Sequence, residues 1–491
     1  MHKMTKILKK VKIYNSLSRR KEVFMPIIPG HVGIYVCGPT VYSEVHLGNC
    51  RTFISLDLIV RYFRYLGYKV RYVRNITDVG HLEANERYDK ITKKAQIERI
   101  EPMELAQKYT YDFHSILEKF NAIPPNIEPI ATGHIIEQIE IIKILLKKGF
   151  AYEVDGSVYF DLNTYTCIHQ YGILSRSHIE KPMVNTRCLK DRRQKRNPKD
   201  FALWKKAYDR HIMHWTSPWG EGFPGWHIEC TAMSTKYLGE VFDIHAGGID
   251  LKFPHHECEI AQAMGAYGKI PVHYWMHTNM LTLDGKKMSK SIGNMIIPYE
   301  IITKFSYDVI RFFILQTHYR SILDFSSKAL ASAEKGYSSL RDSFLNLEVL
   351  FTRNIKVSIS TIDITTWRQK CYDAMNDDFN SPRLIAHLFE AMHWIHSLLA
   401  GDEYLTNYDL NILESTMKSF FSEVLGLTIK NRNFFQKQTS KVEELLKILM
   451  EIRSKARKEK KWVISDKIRK DLLSIGYILH DTENETKVEV I

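Results

Sequence analysis

The chain has 491 residues, 44% hydrophobic and 25% charged, a balance that excludes a disordered chain. Single hydrophobic cores stop growing at roughly 250–300 residues, so several domains are expected. The net charge of +13 favours a polyanionic partner such as nucleic acid, although a lysine-rich surface also serves solubility.

No apolar run approaches the roughly 20 residues of a membrane-spanning helix. The basic start MHKMTKILKKVKIYN lacks a secretory core, and seven scattered cysteines without a CxxC pair argue against a disulfide framework. A cytoplasmic protein with no membrane partner is expected.

In chain order, a β-type run over Ile34–Cys37 ends at Gly38-Pro39. Phe53, Leu56, Ile59, Val60, Phe63 and Leu66 recur at three- and four-residue steps, predicting a helix from Gly48 to Leu66 that Gly67 stops. Tyr68–Ile76 reads as a second strand. The resulting βαβ unit has a turn that carries Cys37 beside a helix N-terminus suited to phosphate.

Helical patterns fill 83–150, and AYEVDGSVYFDL reads as a hairpin around Asp155-Gly156. The basic run DRRQKRNPKDFALWK could touch phosphate or be a solvated loop. From 211 to 300, Gly, His, Trp and Pro crowd together in a manner suited to a small-ligand cleft. Beyond 300 helical periodicity takes over at about 327–350, 366–427 and 442–476, with linker-like stretches at 353–365 and 431–440.

The expected fold class is α/β: a Rossmann-like parallel-sheet catalytic domain with an α+β insertion, followed by an all-α C-terminal region. The expected segments are 1–114 (sheet domain, first half), 115–210 (connective insertion), 211–300 (sheet domain, second half), 301–352 (linking helical segment), 353–430 (helical bundle) and 431–491 (C-terminal region).

Two constellations carry chemistry. His46-Leu47-Gly48-Asn49 opens a helix, where glycine admits close approach of a nucleotide and histidine can donate to a phosphate oxygen. Lys287-Met288-Ser289-Lys290-Ser291 follows another strand some 240 residues later, as a lysine loop able to track phosphate charge. The pair resembles the class I aminoacyl-tRNA synthetases, whose two signature motifs bind ATP on a Rossmann-like sheet.

The second constellation is metal-like. Cys37 and Cys230 lie too far apart for a zinc finger, while His255 and Glu259 at i,i+4 share one helical face. His256 with Glu259 at i,i+3 would chelate nearly as well. Two thiolates, an imidazole and a carboxylate suit Zn²⁺.

YVCGPTVY, HLGN, GWHIEC, FDIHAGGIDLKFPHHE and KMSKS, in that order, resemble the cysteinyl-tRNA synthetase family. RYFRYLGYKVRYVRNITD, KRNPKDFALWK, MNDDFNSP and the final helices with Trp462 extend the resemblance over nearly the whole chain. It implies one Zn²⁺ per chain on Cys37, Cys230, His255 and Glu259, and so prefers His255 to His256. It places the amino-acid pocket at Gly38, Thr40, Thr77, Trp226, His227, His245 and Asp250.

ATP, with Mg²⁺, would meet Pro39, Thr40, His46, Gly48, Asn49 and Lys290, with His46, Asn49, Lys287 and Lys290 catalytic. The resemblance makes 353–430 a tRNA-binding helical bundle and 431–491 an anticodon-binding region, where Arg457, Lys458, Lys460, Lys461 and Trp462 would contact tRNA(Cys). The implied activity is ATP-dependent charging of tRNA(Cys) with L-cysteine, and a monomer is expected.

Three departures stand out: Asn49 where the family commonly has histidine, Cys258 in a place usually held by asparagine, and the divergent tail DTENETKVEVI. Cys258 is expected to leave a spare thiol close to the metal. An ATP-dependent cysteine ligase acting on a small amino-sugar would share the catalytic motifs, but the long helical tail argues against it. Intact signature motifs argue against a catalytically silent zinc and RNA-binding protein.

Overall fold

The computed structural model describes residues 10–79, 90–176, 194–208, 211–288, 293–353, 357–429, 446, 448–459, 461–474, 477–481 and 486–490. The chain divides into two units, Met1–Leu427 and Thr428–Ile491.

The first unit begins with a hairpin, β1 (Lys12–Asn15) and β2 (Arg20–Val23). The alternation in His31–Val36 then forms β3, and a polar turn leads into α1 (Leu47–Tyr65). This helix is buried on almost every side, which explains its near-continuous apolar composition. It ends at Leu66-Gly67, where Gly67 adopts φ +88°, and β4 (Lys69–Arg74) follows.

β10 (Phe242–Gly248) and β11 (Val272–Thr278) complete a four-stranded sheet in the order β11-β10-β3-β4, with every pairing parallel. A parallel sheet needs helical crossovers on its faces. These include α1, α6 (Trp226–Leu238) and α7 (His255–Tyr267). Between α1 and α6 the chain forms α2 (Lys90–Glu98), α3 (Pro102–Lys119), α4 (Ile135–Lys147) and α5 (Leu162–Thr166).

An antiparallel sheet ordered β5-β6-β7-β9-β8 comprises β5 (Ala151–Val154), β6 (Ser157–Phe160), β7 (Phe201–Lys206), β8 (Trp215–Ser217) and β9 (Gly220–Pro224), so it runs past the expected end of the insertion at 210. Asp155 (φ +48°) and Gly156 (φ +75°) make the expected two-residue turn between β5 and β6.

A three-stranded sheet follows the parallel one: β12 (Leu281–Leu283), β13 (Lys286–Lys287) and, after helices α8 (Pro298–Ile301) and α9 (Tyr307–Leu315), β14 (Leu323–Phe325). Helices α10 (Ser327–Thr352), α11 (Ile364–Asn376), α12 (Ser381–Ala400) and α13 (Asn407–Lys418) finish the unit. None of the helices in the described residues is long and apolar enough to cross a membrane.

The second unit has a helical stretch over 448–458 and α14 (Trp462–Ser474). The helical expectation for this region holds to Ser474. Beyond it, β15 (Tyr477–Asp481) pairs antiparallel with β16 (Thr486–Val490), so part of the divergent tail is a hairpin. The alternating Thr-Lys-Val-Glu-Val is its sequence signal.

A buried ion pair fixes α1 in the first unit. Asp57 is bonded by Arg311 of α9 and, at 2.8 Å, by Arg61. Arg311 also donates to the carbonyls of Leu425 (2.7 Å) and Phe120 (2.9 Å). Burial alone would raise the Asp57 carboxyl, but the charges of Arg311 and Arg61 hold it below the ordinary carboxylate range.

The depressed value means that Asp57 stabilises the fold fully above that range, and the contribution is lost as pH falls through the folded-state value. Asp57→Asn should therefore lower unfolding free energy at neutral pH by about 3 kcal/mol, because Arg311 is left buried without its counter-charge. Urea denaturation at pH 7 and in acid checks this, with the difference between variant and wild type shrinking as pH falls.

Candidate metal and nucleotide site

Cys37 stands one residue past β3, and its N–H donates to Ala246 O of β10 at 3.1 Å. The sheet therefore delivers a thiol at its carboxyl edge, where open α/β sheets bind ligands. The next residue approaches the neighbouring strand so closely that a Cβ on Gly38 would lie 1.5 Å from the Asn75 carbonyl oxygen. Only glycine fits there.

Cys230 reaches the same point from α6, and His255 and Glu259 from the first turns of α7. All four are buried, and one donor atom from each lies within 4.8 Å of the others. Cys37 Sγ is 3.8 Å from Cys230 Sγ and 3.9 Å from a Glu259 oxygen, while His255 Nε2 is 3.0 Å from Glu259 Oε1. His227 sets the other ring nitrogen of His255, with the two Nδ1 atoms 3.0 Å apart. Such a partner fixes which nitrogen faces a metal.

The resemblance prefers His255 to His256 as a ligand; in the structure both imidazoles point into the cluster. His256 Nε2 lies 3.3 Å from Cys37 Sγ, as does His245 Nε2, so Cys37, His245, His256 and Glu259 form a second, overlapping tetrad. His256 Nδ1 meets His277 Nε2 at 2.9 Å, and His277 Nδ1 meets Ser16 Oγ at 2.8 Å. The two tetrads share Cys37 and Glu259.

The electrostatics fit a cation. Burial, the Cys230 thiol and the Glu259 charge push the Cys37 thiol well up, and burial pushes Glu259 well up. A hydrogen bond from Cys37 outweighs burial and brings Cys230 down to about 7. Burial keeps His245 and His256 neutral, with lone pairs available. Without a cation, this group must retain protons on a thiol and a carboxyl; with one, both become anionic ligands.

The nucleotide half begins nine residues after Cys37. His46 caps α1: its Nδ1 accepts from Asn49 N–H, and Asn49 Oδ1 accepts from His46 N–H, each at 3.3 Å. A Cβ on Gly48 would come within 3.2 Å of Met288 Cε, so the second signature reaches the first across some 240 residues of chain. Lys287 ends β13; its side chain and Ser289, Lys290 and Ser291 lie outside the described residues.

Of the expected pocket residues, Thr40 and Thr77 bridge each other on adjoining strand extensions. Trp226 packs on His255 with ring centroids 4.4 Å apart, and His245 stacks on Trp275 at 4.5 Å. Pro39 O accepts from Thr77 N–H at 3.0 Å. Asp250 is exposed in a 3-10 turn before α7.

Cys258 corrects the expectation of a thiol close to the metal. It packs in another apolar cluster with Tyr165 and Phe150, 3.5 Å from the Tyr171 hydroxyl. One residue from Glu259 is a 100° rotation about the helix, which turns this side chain off the metal face.

Asn75 and Glu229 escaped the sequence reading. Asn75 Oδ1 accepts from Gly38 N–H at 2.9 Å and lies 3.7 Å from Cys230 Sγ, while its Nδ2 donates to Thr77 Oγ1 at 3.2 Å. Thr77 Oγ1 in turn donates to Glu229 Oε2 at 3.0 Å. Asn75 stands directly past β4, at the carboxyl edge beside Cys37, and that position was its only signal.

In the second unit Arg457 and Lys458 are exposed at the end of the 448–458 helix. Lys461 pairs with Glu459 at 2.7 Å, and Trp462, 54% exposed, opens α14. Lys460 lies outside the described residues.

A parallel sheet with a capped helix after its first strand, and a lysine-bearing arm returning to that cap, is the catalytic architecture of class I aminoacyl-tRNA synthetases. Residues 23–335 match the family model for the class I (C) tRNA synthetase catalytic domain, and residues 370–430 match the DALR domain. The solved Mycobacterium tuberculosis methionyl-tRNA synthetase in complex with methionyl-adenylate shares the fold: TM-score 0.56, 15% identity, 80% of this chain and 89% of that one covered.

Among curated relatives, the cysteine–tRNA ligase of Porphyromonas gingivalis is 50% identical over 484 residues, covering 96% of this chain and 98% of that protein. That of Chlorobaculum tepidum is 46% identical over 481 residues, covering 96% and 97%. The chain belongs to the cysteine–tRNA ligase family. Neither the small-molecule ligase nor the silent RNA-binding reading draws support from these relatives.

The burial-raised protons generate a prediction. At pH 7, metal uptake should release roughly two to three protons, from Cys37, Glu259 and part of Cys230. Calorimetric titration of metal-free protein in buffers of different ionisation enthalpy measures the number. Release of one proton or fewer would contradict the protonation states assigned above.

Proposed function

We propose that the protein activates L-cysteine with ATP and transfers it to the 3′ end of tRNA(Cys). The observation that carries this reading is that the buried donors Cys230, His255 and Glu259 gather around Cys37, on the turn that leads into the His46–Asn49 cap. That turn brings an amino acid held through its sulfur to a nucleotide held at a helix N-terminus.

One Zn²⁺ per chain, held by these four residues, supplies a soft Lewis acid that favours a thiolate over an alcohol. Shape alone separates cysteine from serine poorly, so such a chemical difference provides selection at the binding step. Thr77, Trp226, His227 and His245, with Gly38 and Thr40, surround the amino acid, and Asp250 stands at the rim.

The carboxylate of cysteine attacks the α-phosphorus of ATP, forming cysteinyl-adenylate and releasing pyrophosphate. His46 and Asn49 donate to the phosphates, Pro39, Thr40 and Gly48 bound the nucleotide, and Lys287 and Lys290, with the Mg²⁺ that accompanies ATP, meet the developing charge. A terminal ribose hydroxyl of the tRNA then attacks the adenylate carbonyl, and AMP leaves. His46 accepts a backbone N–H at Nδ1, so its neutral ring carries the proton on Nε2 and acts as a donor there.

The helical region, with Arg457, Lys458, Lys460, Lys461 and Trp462 at its end, offers phosphate-seeking cations beside a ring able to stack on an unpaired base. The segment boundaries given from the sequence, a monomeric enzyme and a cytoplasmic setting complete the reading.

Cysteine-dependent exchange of labelled pyrophosphate into ATP, followed by tRNA charging, tests it; absence of exchange removes the synthetase reading. Glu259→Gln should raise the KM for cysteine about 10–100-fold while moving the KM for ATP little. His46→Ala should do the reverse, lowering kcat about 100-fold with cysteine affinity kept.

A further inference from the structure

Arg51, in the first turns of α1, is 1% exposed and engages main-chain carbonyls: Met280 O, Ser321 O and, at 3.5 Å, His318 O. An arginine this deeply buried, directed at carbonyls of two other segments, costs desolvation that a neutral residue would avoid. Burial lowers it only to about 10, so it stays charged at neutral pH. Its partners identify what the charge does.

Met280 precedes β12, and β12 pairs with β13, the strand that ends in Lys287 and runs into Met288. The arm rests on the 318–325 segment throughout. Asn279 N–H donates to Tyr319 O at 2.8 Å, Asn279 Nδ2 to Arg320 O at 2.8 Å, and β12 pairs with β14 from Leu281↔Leu323 to Leu283↔Phe325. Asp324 bonds Thr282 Oγ1 at 2.6 Å and Gly285 N–H at 2.8 Å. Arg51 thus ties the helix capped by His46 to the segments that lead into β12 and β14 of the platform bearing the second signature.

The same loop is gripped from the opposite side. Asp378, wholly buried in the MNDDFNSP turn, accepts from Tyr319 OH at 2.7 Å and Arg320 Nε at 2.6 Å, and its carbonyl lies 2.9 Å from His318 Nε2. Loop 318–321 is a keystone between α1 and the helical region.

We propose that Arg51 is a positioning residue for adenylate formation, setting the distance between the His46–Asn49 cap and the arm that carries Lys287 and Lys290. The assignment rests on the synthetase reading above. Arg51 touches neither the metal cluster nor the amino-acid pocket, so its removal should separate the two halves of the reaction.

Arg51→Lys retains charge but cannot span three carbonyls. In the full-length protein it should lower kcat for cysteine-dependent pyrophosphate exchange about 10–100-fold, with bound metal unchanged and the KM for cysteine within about twofold of wild type. Amide exchange over 281–287, measured without turnover, should speed up about tenfold relative to 69–74.

Wild-type kcat with a lowered melting temperature would mean a merely structural role and would overturn the proposal, as would unchanged amide exchange. If Arg51→Lys does not fold, Asp378→Asn loosens the same loop from its other side and must lower kcat with the KM for cysteine kept; wild-type kcat there also overturns it. Failure of wild type to exchange pyrophosphate would sink the functional reading instead, and amide exchange would still judge Arg51.

Discussion

Strand β3 is paired on both sides, and both pairings are parallel, so the chain can leave its carboxyl end only through a turn into a helix packed on the sheet. Two chemical groups are hung on that obligatory turn. Cys37 is placed by the last main-chain bond to β10, and His46 by the capping of α1. The contact between Gly38 and the Asn75 carbonyl locks the turn against the neighbouring strand, and Asn75 then serves Gly38, Thr77 and Cys230 together. A bulkier residue at 38 would move both half-sites at once.

The cluster behind the turn is built against the usual economy of folding. Two thiols, a carboxyl and several imidazoles share a buried space that apolar residues would fill with less desolvation. Burial raises the Cys37 thiol and the Glu259 carboxyl well above their ordinary values, a cost that a bound cation would offset. The overlapping histidine tetrad gives the same two ligands a second set of neighbours, oriented through His277 to Ser16 of the N-terminal hairpin region. The ligand group is therefore braced from α6, α7, β10 and β11 as well as from β3.

Residue patterns made much of this legible. The period of α1, the hairpin turn at Asp155-Gly156 and the i,i+4 pair on α7 follow from local rules, and each element formed as expected. Cys37 and Cys230 were visible as candidate ligands because a soft donor is rare and chemically distinct. Asn75 and Glu229 were not, since a buried amide or carboxyl acquires its role from what the fold brings to it. Cys258 was misjudged for a related reason: sequence proximity to Glu259 says nothing about a side chain turned 100° away. The terminal hairpin was missed because its period-two signal, Thr-Lys-Val-Glu-Val, spans only 5 residues and follows a strongly helical stretch.

Asn49 shows how a departure from a family pattern can preserve its physics. With Oδ1 engaged by the His46 N–H, the side-chain amide of Asn49 keeps its NH₂ as a donor. The reciprocal bond leaves His46 with its proton on Nε2, a donor that needs no gain of charge. A histidine at 49 would offer the same reach but would change charge near neutral pH. The amide supplies a donor there without setting a second titrating ring beside His46.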